Sequence, residues 1–241
     1  MTSGGQIQAV LPVKPFALAK TRLEGVLAAN ERITLARLMF EDVLDALTAC
    51  NDIFASTVVV TADREAAALA RRSGAFVLTE SAGRGINAAI SSAVRSRSVE
   101  AGNALLVVPS DIPQVTRMAL AQAAGAVAAE RSVALGAAAR DGGTNLLACR
   151  PAHAIPPLFG PHSFERHRGT ALRAGLSVQI LTRAEFSLDV DRPDDLRHFL
   201  MLNSNTRSHA FLSSISVDQR IDRLRYDNAR LLKPPHAEVV T

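Results

Sequence analysis

A few charged side chains beside predicted strand ends carry the chemistry this sequence could do. Asp111 follows the apolar run Ala104-Leu-Leu-Val-Val and is bracketed by Pro109 and Pro113. Such a run reads as a fully buried central strand, and Asp111 stands just past its carboxyl end. In open α/β sheets ligands bind outside those ends. Asp111 is therefore a metal or phosphate-site candidate, and it is equally placed to start a turn or cap the next helix. Later, Asp189-Val190-Asp191 puts two carboxylates on one side of an extended segment, because residues i and i+2 point the same way. Like charges this close are unfavourable unless a cation sits between them. Mg²⁺ fits, since its ligands are carboxylates, waters and phosphate oxygens. Asparagine at either position should abolish turnover and leave the fold intact, the repulsion being relieved. Asp191 could also cap the helix that carries Leu196, Phe199 and Leu200. Three cations, Lys14, Lys20 and Arg22, follow the first predicted strand, where α/β nucleotide sites are usually built.

Glycine-bearing segments supply further candidates. Asp141-Gly-Gly-Thr144-Asn145 lies between two apolar runs. It reads as a hairpin turn or as an anion pocket in which glycine N–H groups and the Thr144 hydroxyl donate. Phe159-Gly160-Pro161-His162-Ser163 leads into a helix with Ser163 as its N-cap, and a helix start can also bind an anion. Gly83-Arg84-Gly85-Ile86-Asn87 is an ordinary turn or a place where backbone approaches a ligand and the Asn87 amide meets a purine edge. His162 and His167 have the wrong spacing for a metal pair on one helix face and read as surface or packing residues. There is no Ser-His-Asp arrangement and no G-x-x-x-x-G-K-[ST] phosphate loop. Nothing demands a protein nucleophile. Carboxylates for a metal, cations for phosphates and separate anion pockets fit transfer of a nucleotidyl group onto another phosphate.

The elements that must position these groups alternate. Strands are predicted over residues 6–13, 56–62, 75–79, 132–138, 146–149 and 178–181, besides the central Ala104 run. Helices are predicted from an Asn30 cap to 49, from Asp63 to Gly74, from the segment 83–90 to about 97, from a Thr116 cap to 130, and over 163–174. Alternating strands and helices predict a mainly parallel sheet covered on both faces. From about Asn203 the composition changes. Residues 1–202 read as the catalytic domain, and 203–241 as a linker and a C-terminal helical or partly disordered tail. That tail could dock on the domain or make an oligomer contact, a homodimer among the options.

Composition narrows the partners. The chain has 241 residues, 48% hydrophobic but only 4% aromatic, which suggests an aliphatic core. With no Trp and one Tyr, a stacking platform for single-stranded nucleic acid is disfavoured. The net charge of +4 suits anions, yet 27 basic residues are scattered among 23 acidic ones. Small phosphorylated ligands are favoured over nucleic acid. Cys50 and Cys149 make neither a disulfide framework nor a zinc motif and read as core residues. Neither a leader-like segment nor a run near the ~20 residues needed to span a bilayer occurs, so a soluble, cytoplasmic protein without a membrane partner is expected.

Leu11-Pro-Val-Lys14-Pro-Phe with Lys20-Thr-Arg22-Leu, Pro109-Ser-Asp111-Ile-Pro113, Asp141-Gly-Gly-Thr144-Asn, Phe159-Gly160-Pro-His-Ser163-Phe and Asp189-Val-Asp191 come in order along residues 6–200. Together they resemble the 2-phospho-L-lactate guanylyltransferase family, which acts in biosynthesis of the deazaflavin coenzyme F-420. The resemblance implies a Rossmann-like nucleotidyltransferase fold of the nucleotide-diphospho-sugar transferase type, a three-layer sandwich. It implies that the phosphate of a small phospho-acid (2-phospho-L-lactate, phosphoenolpyruvate or 3-phospho-D-glycerate) attacks the α-phosphorus of GTP and that pyrophosphate leaves. It further implies Mg²⁺ on Asp111, Asp189 and Asp191, the phospho-acid on Thr144, Gly160 and Ser163, and the GTP phosphates facing Lys14, Lys20 and Arg22. Gly85 and Asn87 would approach the guanine. The chain departs from the wider superfamily in having Pro12-Val13-Lys14-Pro15 where a glycine-rich loop is usual. Phosphate contact must then rest more on side chains than on backbone N–H groups. Two other readings compete: a sugar-nucleotide glycosyltransferase using the Asp189/Asp191 pair, and a non-enzymatic binding protein recruiting a partner through the basic tail.

Overall fold

Strand β1 (Ile7–Val13) is buried from Gln8 onward and lies third from one edge of a seven-stranded sheet. It pairs in parallel with β2 (Ser56–Thr61) on one side and β4 (Ala104–Val107) on the other. Strand β3 (Phe76–Thr79) extends the sheet in parallel beyond β2. On the far side β5 (Ser132–Ala137) and β6 (Thr144–Arg150) form the hairpin that Asp141-Gly-Gly signals, and β7 (Ser177–Leu181) runs parallel to β5. The order is β3-β2-β1-β4-β6-β5-β7, and among the described residues β6 alone runs against the rest. The computed structural model describes residues 6–80, 85–96 and 103–231, with side chains to Leu224.

Successive residues of each strand feed opposite cores, as the two-residue period requires. Ala9, Leu11 and Leu106 pack with Phe40 of α1 (Ala29–Thr48), Ala66 of α2 (Arg64–Arg72) and Leu120 of α4 (Arg117–Gly125). Val10, Leu105 and Val107 pack with Ile90 of α3 (Gly85–Arg95) and Ala171 of α5 (Ser163–Arg173). The expected three-layer sandwich with a mainly parallel sheet is what the chain forms. Cys50 and Cys149 are buried, unpaired core residues. No described helix is long and apolar enough to cross a membrane.

Some predicted ends shift. Helix α1 begins before Asn30, with Ala28 as the cap residue, because the Glu31 carboxylate reaches back to the Ala28 N–H at 2.8 Å. Thr116 does cap α4, but the helix ends at Gly125 rather than 130. Asp63 caps α2 as expected, accepting from the Glu65 and Ala66 N–H groups.

After a single-turn helix α6 (Ala184–Ser187), three helices close the chain: α7 (Pro193–Met201), α8 (Arg207–Ser214) and α9 (Val217–Leu231). They share a third apolar cluster with α1, joining Leu35 and Met39 to Phe199, Leu212, Val217 and Ile221. The buried Asp42 carboxylate of α1 accepts the Arg207 N–H at 2.9 Å, the Ser208 N–H at 3.0 Å and the Ser208 hydroxyl at 2.6 Å. The segment expected as a helical or partly disordered tail is thus helical over 207–231 and tied to α1. Replacing Asp42 by Ala strands those donors at the start of α8 and should lower stability by roughly 2–3 kcal/mol. Urea unfolding checks this, and an unchanged midpoint would contradict it.

Candidate active site

The chain winds outward in opposite senses on either side of β1 and β4, which makes their carboxyl ends the switch point where doubly wound sheets bind ligands. Past β1 the chain forms two short 3-10 turns, Phe16–Leu18 and Thr21–Leu23. Buried Phe16 pins this loop against Phe40, with ring centroids 5.7 Å apart. Its N–H donates to Asp63 Oδ2 at 2.9 Å, so one carboxylate caps α2 and anchors the loop. Lys20 sits in the left-handed region, φ 55°, which costs a non-glycine residue about 1–2 kcal/mol. That turn drives its ammonium inward. The Lys20 side chain is only 7% exposed, and Nζ lies 3.1 Å from Asp111 Oδ2 and 3.9 Å from Asp191 Oδ1.

The two acidic segments are stitched together by the backbone: the Val190 N–H donates to the Asp111 carbonyl at 3.0 Å. Val190 is fully buried, so Asp189 and Asp191 flank an inward side chain, as the i, i+2 rule predicts. Asp191 does not cap α7. Asp195, three residues in from the Arg192 cap, accepts the N–H groups of Asp191 at 3.0 Å and Arg192 at 2.7 Å. The Asp191 carboxylate is thereby left to Lys20 and to Arg22 Nη1. Burial works to raise its pKa, but Lys20, Arg22 and Arg140 outweigh it and hold the carboxyl below its ordinary range. Asp189 moves the other way, raised by burial and then by the charge of Asp111. Arg140, which the sequence did not single out, bridges Asp189 and Asp195, at 2.9 Å to each. The Asn145 amide reaches Asp189 Oδ1 at 3.4 Å.

Asp111 and Asp191 therefore meet Lys20 and Arg22 in one cleft, and Asp189 is held beside it by Arg140. Oxygen-only donors suit a hard divalent ion, and the gap between Asp111 and Asp191 already holds positive charge in Lys20. Among the described residues no three acidic, histidine or cysteine side chains converge as a ready-made ligand set. Each carboxylate is instead paired with a cation, Lys20 being shared by Asp111 and Asp191, so a metal would bind by taking over those contacts.

The two predicted anion pockets come together at one place. The His162 N–H donates to the Asp141 carbonyl at 3.3 Å and the Phe164 N–H to the Gly142 carbonyl at 3.0 Å, docking the hairpin turn on the start of α5. Ser163 is not the N-cap. That position is His162, at φ 55°, and Ser163 is the first helical residue, turned inward. Its buried hydroxyl donates to Thr144 Oγ1 at 3.1 Å. Thr144 Oγ1 is 2.9 Å from His167 Nδ1. The Leu158 N–H donates to His167 Nε2 at 2.8 Å, so a neutral imidazole carries its proton on Nδ1 and donates to Thr144. Burial and then the Arg166 charge push the His167 pKa down to about 4. The packing role expected for His167 is thus joined by a hydrogen-bonding one. Gly160 is exposed at φ 130°, a conformation glycine alone adopts readily.

Two adjoining cavities occupy the switch point. One of about 290 Å³ is lined by Lys14, Lys20, Arg22, Ser110, Asp111 and Asp191, among others. The other, about 540 Å³, is lined by Pro12, Leu18, Glu80, Gly85, Ile86 and Ala89, among others. Val13, Lys14, Ser110 and Asp111 line both. Thr144, Gly160 and Ser163 line neither and connect to the cleft through Asn145 and Asp189. Asn87 is committed elsewhere: its Nδ2 donates to the Phe159 carbonyl at 3.1 Å and its Oδ1 accepts the Phe159 N–H at 2.8 Å. The amide edge offered to a purine instead ties α3 to the Gly160 loop. Gly83 and Arg84 lie outside the described residues.

A match to the guanylyl transferase CofC-like family spans residues 7–230. The chain belongs to this guanylyltransferase family. It is 36% identical over 188 residues to a phosphoenolpyruvate guanylyltransferase of Sphaerobacter thermophilus, covering 78% of this chain and 89% of the relative. A 3-phospho-D-glycerate guanylyltransferase of Phenylobacterium zucineum is 36% identical over 190 residues, covering 78% and 87%. A 2-phospho-L-lactate guanylyltransferase of Methanothermobacter thermautotrophicus is 32% identical over 207 residues, covering 86% and 90%. In fold, this CofC-like chain is similar to a structure from Desulfovibrio desulfuricans assigned to the nucleotide-diphospho-sugar transferases, with TM-score 0.73, 20% identity, and coverage of 91% and 98%. The family match extends past residue 202, so it takes in helices α8 and α9. The glycosyltransferase and non-enzymatic readings are set aside by family membership.

Proposed function

We propose that this chain transfers the guanylyl group of GTP onto the phosphate of a small phospho-acid, in deazaflavin coenzyme biosynthesis in the cytoplasm. The observation that carries this is the meeting of Lys20 and Arg22 with Asp111 and Asp191 at the switch point of a guanylyltransferase-family sheet. A phosphate oxygen of the acceptor attacks the α-phosphorus of GTP. A new P–O bond forms, the bond to the β-phosphate oxygen breaks, and pyrophosphate departs.

This chain's residues supply positioning and charge. Lys14, at the junction of the two cavities, and Arg22, 61% exposed, face the triphosphate. Lys20, held between two carboxylates, is aimed at the same place. Asp111, Asp189 and Asp191 would hold Mg²⁺, which when bound offsets the phosphate charge. Gly160 offers exposed backbone to the phospho-acid, with Thr144 and Ser163 beneath it as a hydrogen-bonded floor. With no glycine-rich loop after β1, side-chain cations bear most of the phosphate contact.

The test is pyrophosphate release with Mg²⁺ and GTP, each phospho-acid supplied separately, ATP as control and the product weighed by mass spectrometry. We expect release with GTP and one acid, and a product heavier than that acid by a guanylyl group. Silence with all three acids from folded protein that binds GTP would contradict the reading.

A further inference from the structure

We propose that Glu80 reads the guanine, through the donor edge that distinguishes it from adenine; this rests on GTP being the nucleotide. Glu80 follows β3, and its N–H donates to the Thr61 carbonyl at the end of β2, at 3.2 Å. That pairing fixes it on the ligand-binding edge of the sheet. It lines the 540 Å³ cavity together with Pro12, Leu18, Ile86 and Ala89. The residues shared with the smaller cavity, Lys14 and Asp111 among them, belong to the phosphate end. Glu80, Gly85, Ile86 and Ala89 line only the larger one and come from the β3 and α3 side, apart in sequence from the shared residues, so we take them as the end away from the phosphates.

The chemistry of that end suits a base. Leu18, Ile86 and Ala89 give apolar walls for a flat ring, and Leu18 is an apolar side chain left 52% exposed. A carboxylate facing a triphosphate would repel it. A carboxylate facing guanine meets N1–H and the 2-amino group, two donors side by side, with two acceptor oxygens. Adenine presents an acceptor at N1, which the carboxylate opposes, and hypoxanthine keeps N1–H but lacks the 2-amino group. Glu80 is the carboxylate at the remote end, and Asn87, the alternative base reader, is bonded to Phe159.

The experiment is equilibrium dialysis of GTP, ITP and ATP, with Mg²⁺, against the full chain and its Glu80→Gln and Glu80→Asp variants. The wild type should bind GTP more tightly than ITP and ITP more tightly than ATP. Glu80→Gln should weaken GTP about 10- to 100-fold, shrink the GTP-to-ITP ratio toward one, and improve ATP relative to GTP, because an amide pairs with adenine's donor and acceptor. Glu80→Asp, still acceptor-only, should keep the order GTP, ITP, ATP even if all three weaken. A Glu80→Gln chain that keeps the wild-type ratios, or loses all three nucleotides equally, overturns the assignment, as does a wild type that does not prefer GTP to ATP. Binding is read apart from turnover: a chain with this binding pattern that releases no pyrophosphate keeps Glu80 as the reader and loses the reaction.

Discussion

Asp191→Asn should lower kcat by about 10³-fold, roughly 4 kcal/mol of transition-state stabilisation, while costing the fold only about 1 kcal/mol. The two effects separate because the carboxylate has two jobs. In the folded chain it shares Lys20 with Asp111 and holds Arg22. Arg22 is largely exposed, and Lys20 keeps its 3.1 Å contact with Asp111 when Asp191 is neutral, so little stability is lost. In the reaction both cations and the proposed metal depend on that charge, and neither is replaced by an amide. The repulsion argument made from the Asp-Val-Asp spacing needs one correction. The like charge that acts on Asp189 is Asp111 and not Asp191: its carboxyl is raised by burial and then by Asp111, so Asp189→Asn should be neutral or slightly stabilising. The repulsion argument fails for Asp191, where neighbouring cations win and the charge is favoured. Thermal unfolding and initial rates on the two variants separate these outcomes. Near-normal turnover in Asp191→Asn would sink its catalytic assignment, and equal stability changes in the two variants would sink the electrostatic distinction.

The parts of this molecule that were legible in sequence are those set by local pattern. Uninterrupted apolar runs such as Leu105-Leu-Val-Val mark strands covered on both faces, and the residue after each run is necessarily at a strand end. That is why Asp111, Lys14 and Lys20 could be placed near one another although 91 positions separate Lys20 from Asp111. Legibility stopped where two local rules competed or where the partner is distant. Asp191 and Asp195 both stand within capping reach of α7. The capping box selects Asp195, and only then is Asp191 free for the cleft. Ser163 looked like a cap, but the left-handed His162 takes that position and turns the serine into the core. Asn87 reads as a base contact until Phe159, 72 positions away, claims both ends of its amide. Arg140 sits in a turn where an arginine is unremarkable by itself, and its meaning comes from the two aspartates that fold against it.

Acidification from about pH 6.5 to 4 should remove about 3 kcal/mol of stability through His167 alone. Above pH 6.5 both folded and unfolded chains hold this imidazole neutral. Between pH 6.5 and 4 the unfolded chain binds a proton that the folded chain refuses, because burial holds the folded pKa near 4. The unfolded state then binds more protons, so stability falls as pH falls, by about 1.4 kcal/mol per unit. Below pH 4 both states are protonated and the loss is complete. Structure explains why the folded state resists: a proton on Nε2 would face the Leu158 N–H, which donates to that nitrogen at 2.8 Å. Carboxylates titrate over the same range, so the measurement is a difference. Urea unfolding of the wild type and of His167→Gln, across pH 4 to 7, should give a stability difference that moves by about 3 kcal/mol in the variant's favour toward acid, since glutamine can keep both hydrogen bonds without titrating. Parallel profiles would contradict the assignment. The consequence reaches the proposed phospho-acid loop, because His167 holds the Leu158 N–H and Asn87 the Phe159 peptide, next to Gly160. A proton on His167 arrives at Nε2 and opposes the Leu158 N–H, two residues before Gly160, while Nδ1–H goes on donating to Thr144, so acid strikes the loop rather than the floor beneath it.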